Sequence, residues 1–107
     1  MITEVGSCNV DYITYNKKLP VPGETVYAED MKITAGGKGA NQIAAAARLG
    51  AKTSFISMLG DDKNAQVVME GLKWAGVDTD CIEVKKDTYS GAGFVSVGEN
   101  AQNFITI

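Results

Sequence analysis

Seven residues, from Gly36 to Gln42, hold the side chains of this chain that are best suited to a polar ligand. They include three glycines, one lysine and two amides, and they open an alanine-rich segment that is helical in composition. Glycine lets a ligand approach the backbone closely, and Lys38 and Asn41 can donate hydrogen bonds to hydroxyl oxygens. The first N–H groups of a helix are also free for a ligand. The stretch therefore favours a site for a neutral polyol, the alternative being a tight turn selected only for its backbone angles.

Two phosphate-binding motifs are excluded at this stretch by spacing. A P-loop needs a glycine five residues before its Gly-Lys pair and a hydroxyl directly after the lysine. Those places are taken by Lys32 and Gly39. The dinucleotide fingerprint needs a third glycine, where this chain has Gln42.

A second polar pair, Asn9 and Asp11, follows a short predicted strand at 2–8. Ligands of open α/β sheets gather at the carboxyl ends of strands, so both side chains are placed to hold a polar ligand. Asn and Asp also cap turns, and the local sequence alone favours that simpler interpretation.

The elements predicted around these residues alternate between strand and helix. After the strand at 2–8, the pattern predicts a helix at 40–49, a strand at 51–59 and a second helix that begins after Asp61 or Asp62 and ends at Gly76. This order is typical of a parallel α/β sheet with right-handed crossovers.

Short extended segments lie outside that alternation. Residues 12–15 and 24–34 flank a Pro-Gly turn and predict a hairpin or flap at the edge of a sheet. Residues 81–84, 91–97 and 103–107 have no helix between them, which predicts an antiparallel appendage.

The composition excludes several classes of function. Ten basic and thirteen acidic residues give a net charge of -3 with scattered lysines, so nucleic-acid binding is not expected. The longest apolar run, at 43–47, is too short for a membrane span, and no membrane partner is expected. The chain has no histidine and two distant cysteines, which excludes the common zinc spacings and a Cys-His nucleophile. Free thiols and the lack of a secretory signal predict a cytoplasmic protein.

Six segments match, in order and spacing, the N-terminal part of the ribokinase-like carbohydrate and nucleoside kinases. They are residues 6–11, 22–25, 36–42, 46–51, 60–62 and 75–78. The resemblance extends over the whole chain, which corresponds to the N-terminal third of such a kinase. It implies an α/β fold in which a Rossmann-like parallel sheet with helices carries a small β-sheet lid. Lid strands are expected within about 12–34 and 81–107, and lid pairing between subunits implies a homodimer.

The resemblance also implies a set of substrate-binding residues. In this family the Asn and Asp after the first strand bind sugar hydroxyls, which carries over to Asn9 and Asp11 and favours binding over turn capping there. The second glycine, the lysine and the asparagine of the glycine-rich stretch bind the sugar as well, which carries over to Gly37, Lys38 and Asn41.

The activity implied for the whole enzyme is transfer of the γ-phosphoryl group of ATP to the 5-hydroxyl of D-ribose, giving ribose 5-phosphate. The implied cofactors are ATP, Mg²⁺ and a monovalent cation, K⁺, and their sites are expected outside this chain. The family's Gly-Ala-Gly-Asp motif carries the general base, but the similar run from Gly91 to Phe94 ends in phenylalanine. We therefore expect no catalytic residue here, and no turnover by these 107 residues alone.

Two alternatives remain open. The chain could belong to another ribokinase-like sugar or nucleoside kinase. It could also act as a non-catalytic binding or oligomerising fragment, because exposed strand edges favour association.

Overall fold

A computed structural model describes all residues from Met1 to Ile107. It confirms the α/β fold class, with a three-stranded parallel sheet, two helices and a second sheet of four strands. The strands are β1 (Ile2–Val5), β2 (Asn9–Tyr15), β3 (Asp30–Gly36), β4 (Thr53–Gly60), β5 (Ile82–Lys85), β6 (Ala92–Val97) and β7 (Asn103–Thr106). The helices are α1 (Lys38–Arg48) and α2 (Lys63–Trp74), and a short 3₁₀ turn spans Glu99–Ala101.

The parallel sheet has the strand order β1-β4-β5, and both helices are crossovers between its strands. Helix α1 returns the chain to β4 and α2 leads on to β5. One face of β4 is buried beneath the helices. The largest fully buried side chains of the core are Phe55, Ile43, Leu59, Leu72, Val10 and Val68.

Each helix ends where its sequence predicts a stop. Gly50 (φ 94°) follows α1 and Gly76 (φ 87°) follows α2, both in the left-handed region that favours glycine. Helix α2 begins with Asp62 as its N-cap, because the carboxylate accepts a hydrogen bond of 3.0 Å from the backbone N–H of Ala65.

The second sheet, which we call the lid sheet, has the strand order β3-β2-β6-β7. Strands β2 and β3 form the antiparallel hairpin that the Pro-Gly turn predicts, with Asn9 opposite Gly36. Strand β6 runs parallel to β2, and β7 returns antiparallel to β6. Helix α2 packs against β2 and β3, so the lid sheet stands on the same side of the molecule as the helices.

The structure corrects two sequence-based expectations about the strands. The segment predicted at 81–84 belongs to the parallel sheet as β5 and not to an antiparallel appendage, because the α2 crossover delivers it beside β4. Strand β6 pairs parallel with β2, so the lid sheet is mixed. Strand periodicity reports which faces of a strand are buried but does not identify its partner, which explains both errors. Strands β2 and β3 also extend beyond the predicted range of 12–34.

Neither helix combines the length and the apolar composition that a membrane crossing requires.

Candidate functional site

A cavity of about 370 Å³ opens where the lid sheet meets the start of α1. Its lining residues are Ser7, Asn9, Asp11, Gly37, Lys38, Asn41, Val95, Ile105 and Ile107. All five residues that the sequence singled out for sugar binding therefore line one cavity. The apolar wall from β6, β7 and the residue after β7 was not predicted, since only the pairing of these strands brings it beside β2.

Asn9 and Asp11 lie on one face of β2, because alternate residues of a strand point the same way. The Nδ2 group of Asn9 donates a hydrogen bond of 2.6 Å to Oδ1 of Asp11 and a longer one of 3.3 Å to the carbonyl of Val10. Neither residue caps a turn. The pair presents a carboxylate and an amide carbonyl to the cavity as acceptors.

Two glycines leave room for the Asp11 carboxylate. Gly36 on β3 and Gly93 on β6 flank it on the two neighbouring strands. A Cβ at Gly36 would overlap Asp11 Oδ2, and one at Gly93 would lie 2.6 Å from Asp11 Oδ1. Any other residue type at Gly36 must therefore displace the carboxylate.

The start of α1 is held against the link between β1 and β2. Gly37, the N-cap, has φ 101°, and a Cβ there would lie 2.7 Å from the carbonyl oxygen of Ser7. A Cβ at Gly39 would come within 2.9 Å of Gly6 Cα, and the N–H of Ala40 donates to the carbonyl of Ser7 at 3.1 Å. This close approach depends on glycine and brings Lys38 and Asn41 to the rim of the cavity.

Cys8 lies beside the cavity but is a structural thiol. It is buried and unpaired, and its Sγ is 3.3 Å from Ser57 Oγ. Burial raises the pKa of the Cys8 thiol despite the hydrogen bond with Ser57, which keeps it protonated at neutral pH. A nucleophilic role for Cys8 is therefore disfavoured.

The cavity combines groups that suit a small polyhydroxylated ligand. Lys38 supplies a cation with three N–H donors, Asn41 supplies both donor and acceptor, and Asp11 supplies acceptors only. The side chains from β6 and β7 supply an apolar surface on the facing wall. No group of three or more acidic, cysteine or histidine side chains is arranged to hold a metal ion.

Comparison with known proteins extends over the full chain. The family model for pfkB family carbohydrate kinases matches residues 1–107. The chain belongs to the pfkB family.

Ribokinase from Haemophilus influenzae is 37% identical to this pfkB family chain over 106 residues, which are 99% of the chain and 35% of the relative. Deoxyribokinase from Salmonella typhimurium is 41% identical over 106 residues, with the same coverage of 99% and 35%. The structure of Arabidopsis thaliana ribokinase complexed with ribose and ATP superposes with a TM-score of 0.85 at 35% identity, covering 99% of this chain and 35% of that one. The chain thus spans about a third of the length of the relatives it matches.

Proposed function

We propose that these residues form the sugar-binding and lid portion of a ribokinase, and that the whole enzyme transfers the γ-phosphoryl group of ATP to the 5-hydroxyl of D-ribose. One observation carries the proposal: five residues from two separate segments of a pfkB family chain line a single polar cavity. Similarity to ribokinases along 99% of the chain supports ribose as the sugar.

The roles that we assign to the cavity residues follow from their chemistry. Asp11 accepts hydrogen bonds from sugar hydroxyls, and the Asn9 amide, held at 2.6 Å from it, fixes the orientation of the carboxylate. Lys38 and Asn41 donate to hydroxyl oxygens from the opposite rim, and Gly37 lets the sugar approach the helix backbone. Phosphoryl transfer depends mainly on positioning and on electrostatic stabilisation. These residues would supply the positioning of the acceptor hydroxyl.

The lid sheet has a second proposed role, which is to exclude water. Water competes with the sugar as phosphoryl acceptor, so a sheet that closes over the sugar favours transfer over hydrolysis. The face of the lid sheet away from the cavity exposes apolar side chains, namely Met31, Ile33, Phe94 and Phe104. We propose that this face pairs with a second subunit in a homodimer.

The cofactors and the location complete the proposal. ATP is the phosphoryl donor, and Mg²⁺ and K⁺ support its reaction in the whole enzyme. We assign no residue of this chain to any of the three. The unpaired thiols of Cys8 and Cys81 agree with a cytoplasmic location.

A second candidate is a kinase for 2-deoxy-D-ribose. The deoxyribokinase from Salmonella typhimurium shares 41% identity with this chain, slightly above the 37% shared with Haemophilus influenzae ribokinase. A nucleoside kinase and a non-catalytic oligomerising fragment are further alternatives.

Nuclear magnetic resonance titration of the 107-residue chain tests the proposal. We expect D-ribose at millimolar concentration to shift the amide signals of Gly37, Lys38 and Asn41, and the Asp11→Ala variant to lose these shifts. The matched control is Asp80→Ala, which removes an exposed carboxylate outside the cavity. Stronger shifts with 2-deoxy-D-ribose or adenosine would favour the alternative substrates. Signal changes confined to residues outside the cavity in all titrations would contradict a sugar site here.

A further inference from the structure

The connection that leads into β6 is tied to the start of α2 by one carboxylate. Asp62 Oδ1 accepts a hydrogen bond of 2.7 Å from Ser90 Oγ, and Asp62 Oδ2 accepts one of 2.8 Å from the Ser90 backbone N–H. Ser90 Oγ in turn accepts from the N–H of Gly60 at 3.0 Å. Ser90 is only 7% exposed, so its bond with the N–H of Gly60 is shielded from water, whereas its two bonds with Asp62 are half-buried. The hydrogen-bonded pair of Ser90 and Asp62 therefore joins the end of β4, the start of α2 and the entry to β6.

The neighbouring carboxylate strengthens this connection. Asp61 accepts hydrogen bonds from the backbone N–H groups of Asp87 at 3.0 Å and Thr88 at 3.3 Å. The carbonyl of Thr88 accepts from the N–H of Asp61 at 3.2 Å, and Gly60 has no room for a Cβ because the Thr88 backbone lies against it. The residues before β6 are thus held along their length by residues 60–62.

The position of β6 determines one wall of the cavity. Its preceding residue, Gly91, accepts a hydrogen bond of 3.0 Å from the N–H of Val10, in the strand that carries Asp11. Gly93 lies beside Asp11, so that a Cβ would be 2.6 Å from the carboxylate, and Val95 lines the cavity. A shift of β6 by even an ångström would change the space around Asp11.

We propose that Asp62 is a positioning residue for the lid: acting through Ser90, it fixes where β6 enters the lid sheet and so shapes the cavity wall beside Asp11. The consequence for sugar binding rests on the proposed function.

The competing explanation is that Asp62 only caps α2. The two roles can be separated, because Ser is about as good an N-cap as Asp but offers a single oxygen. Asp62→Ser retains the cap and loses the two-oxygen contact with Ser90. Ser90→Ala has the complementary effect, since it leaves the cap intact and removes the hydroxyl.

Amide hydrogen exchange of the 107-residue chain without sugar tests the proposal. In Asp62→Ser we expect the amides of Val10 and of β6 to exchange about 10- to 100-fold faster, as fits the loss of hydrogen bonds to a charged group. The amides of α2 should change by less than about threefold, since the cap remains. Ser90→Ala should give the same pattern, and the effects of the two changes should be less than additive in the double variant, because both remove the bond between the Ser90 hydroxyl and Asp62.

The control variant is Thr88→Ala, which removes a nearby hydroxyl that donates only to the carbonyl of Lys86. It should leave β6 protection unchanged. If exchange in α2 and β6 rises equally in Asp62→Ser, Asp62 is a helix cap and the proposal is wrong. If Asp62→Ser does not fold, Ser90→Ala decides, and unchanged β6 protection in that variant overturns the proposal. If the wild-type chain does not bind D-ribose, that result counts against the proposed function and leaves the role of Asp62 unaffected.

Discussion

At the scale of single residues, the candidate site depends on the residues that surround the carboxylate of Asp11. Asp11 is bonded to the amide of Asn9 at 2.6 Å and lies between Gly36 and Gly93, neither of which has a side chain to displace it. The residue types of the glycine-rich stretch indicated Lys38 and Asn41. Asn9 and Asp11 were assigned to the site only through the family resemblance, because their local sequence favoured turn capping. The need for glycine at position 93 could not be predicted, since it arises from a strand pairing between residues far apart in the chain.

The first prediction concerns the charge of Asp11. Asp11→Asn keeps the shape of the side chain but replaces one acceptor oxygen with a donor, so a sugar hydroxyl that donates there loses its partner. We expect D-ribose to bind about 10- to 100-fold more weakly, as a lost hydrogen bond to a charged group predicts. Isothermal titration calorimetry measures the change, with Asp80→Asn as a control of equal charge change. Equal affinity in Asp11→Asn and wild type would remove Asp11 from the site.

The second prediction concerns Gly36. Gly36→Ala places a Cβ onto the Asp11 carboxylate, so we expect ribose binding to be lost while the melting temperature falls by only a few degrees. Gly91→Ala is the matched control, since its added Cβ would be 3.4 Å from Asn9 Cβ, an ordinary contact. If both variants bind ribose as wild type does, the close packing around Asp11 is not required.

At the scale of elements, α2 joins the parallel sheet to the lid sheet. Its first turn holds the entry of β6 through Asp62, and its Asn64 accepts a hydrogen bond of 2.5 Å from the hydroxyl of Tyr12 on β2. The Tyr12 ring stacks on Phe94 with centroids 5.5 Å apart. The helices themselves were predictable from capping and glycine stops. The hold of α2 on the lid was not, because it depends on side chains that are more than 25 residues apart in sequence.

The third prediction separates the two parts of the Tyr12 contact. Tyr12→Phe keeps the ring stack and removes the hydroxyl, which should cost about 1 kcal/mol of unfolding free energy and lower the melting temperature by about 4 to 8 °C. Circular dichroism melting curves measure this, with the exposed Tyr89→Phe as control. A melting temperature equal to that of Tyr89→Phe would mean that the bond to Asn64 adds no stability.

The fourth prediction concerns the low pH at which Asp61 and Asp62 stop holding the residues that lead into β6. Hydrogen bonds from the N–H groups of Asp87 and Thr88 lower the pKa of Asp61, although repulsion by Asp62 raises it slightly. Burial raises the pKa of Asp62, but the hydrogen bonds from Ser90 and Ala65 outweigh it and lower that pKa overall. A carboxyl group whose pKa is lower in the folded state stabilises the fold above its unfolded value of about 3.9, and that stability is lost as the pH falls through the lower, folded value.

We therefore expect the protection of the β6 amides from hydrogen exchange to be constant between about pH 5 and pH 7 and to fall below about pH 4. Melting temperature and amide exchange measured across this range provide the test. The Ser90→Ala variant, in which one of the bonds to Asp62 is already lost, should show a smaller decrease. A loss of β6 protection centred near neutral pH would show that other groups control the connection.

At the scale of the whole molecule, two surfaces expose apolar side chains. One is the face of the parallel sheet opposite the helices, where Val5, Ile56 and Met58 are 73%, 43% and 52% exposed. The other is the face of the lid sheet away from the cavity, where Phe104 is 60% exposed. Sequence periodicity predicted an α/β fold with an attached lid correctly, but it could not assign β5 to the parallel sheet, because both sheets contain short strands of similar composition.

The fifth prediction is that the 107-residue chain associates through the face of the lid sheet away from the cavity. Light scattering at several concentrations should show dimers, and Phe104→Lys should shift the equilibrium towards monomer, since it buries a charge in an apolar interface. Met58→Lys, the matched control on the other apolar face, should leave the dimer intact. The reverse pattern would assign association to the uncovered face of the parallel sheet and contradict pairing through the lid.

The central claim, that these residues are the sugar-binding portion of a ribokinase, is tested most directly by a chimaera. Residues 1–107 replace the matching segment of Haemophilus influenzae ribokinase, and ATP-dependent phosphorylation of D-ribose is measured with a coupled assay. We predict turnover by the chimaera, none by the 107 residues alone, and a large loss in the chimaera with Asp11→Ala. A folded chimaera that binds ADP but phosphorylates no ribose, or one that is indifferent to Asp11→Ala, would contradict the claim.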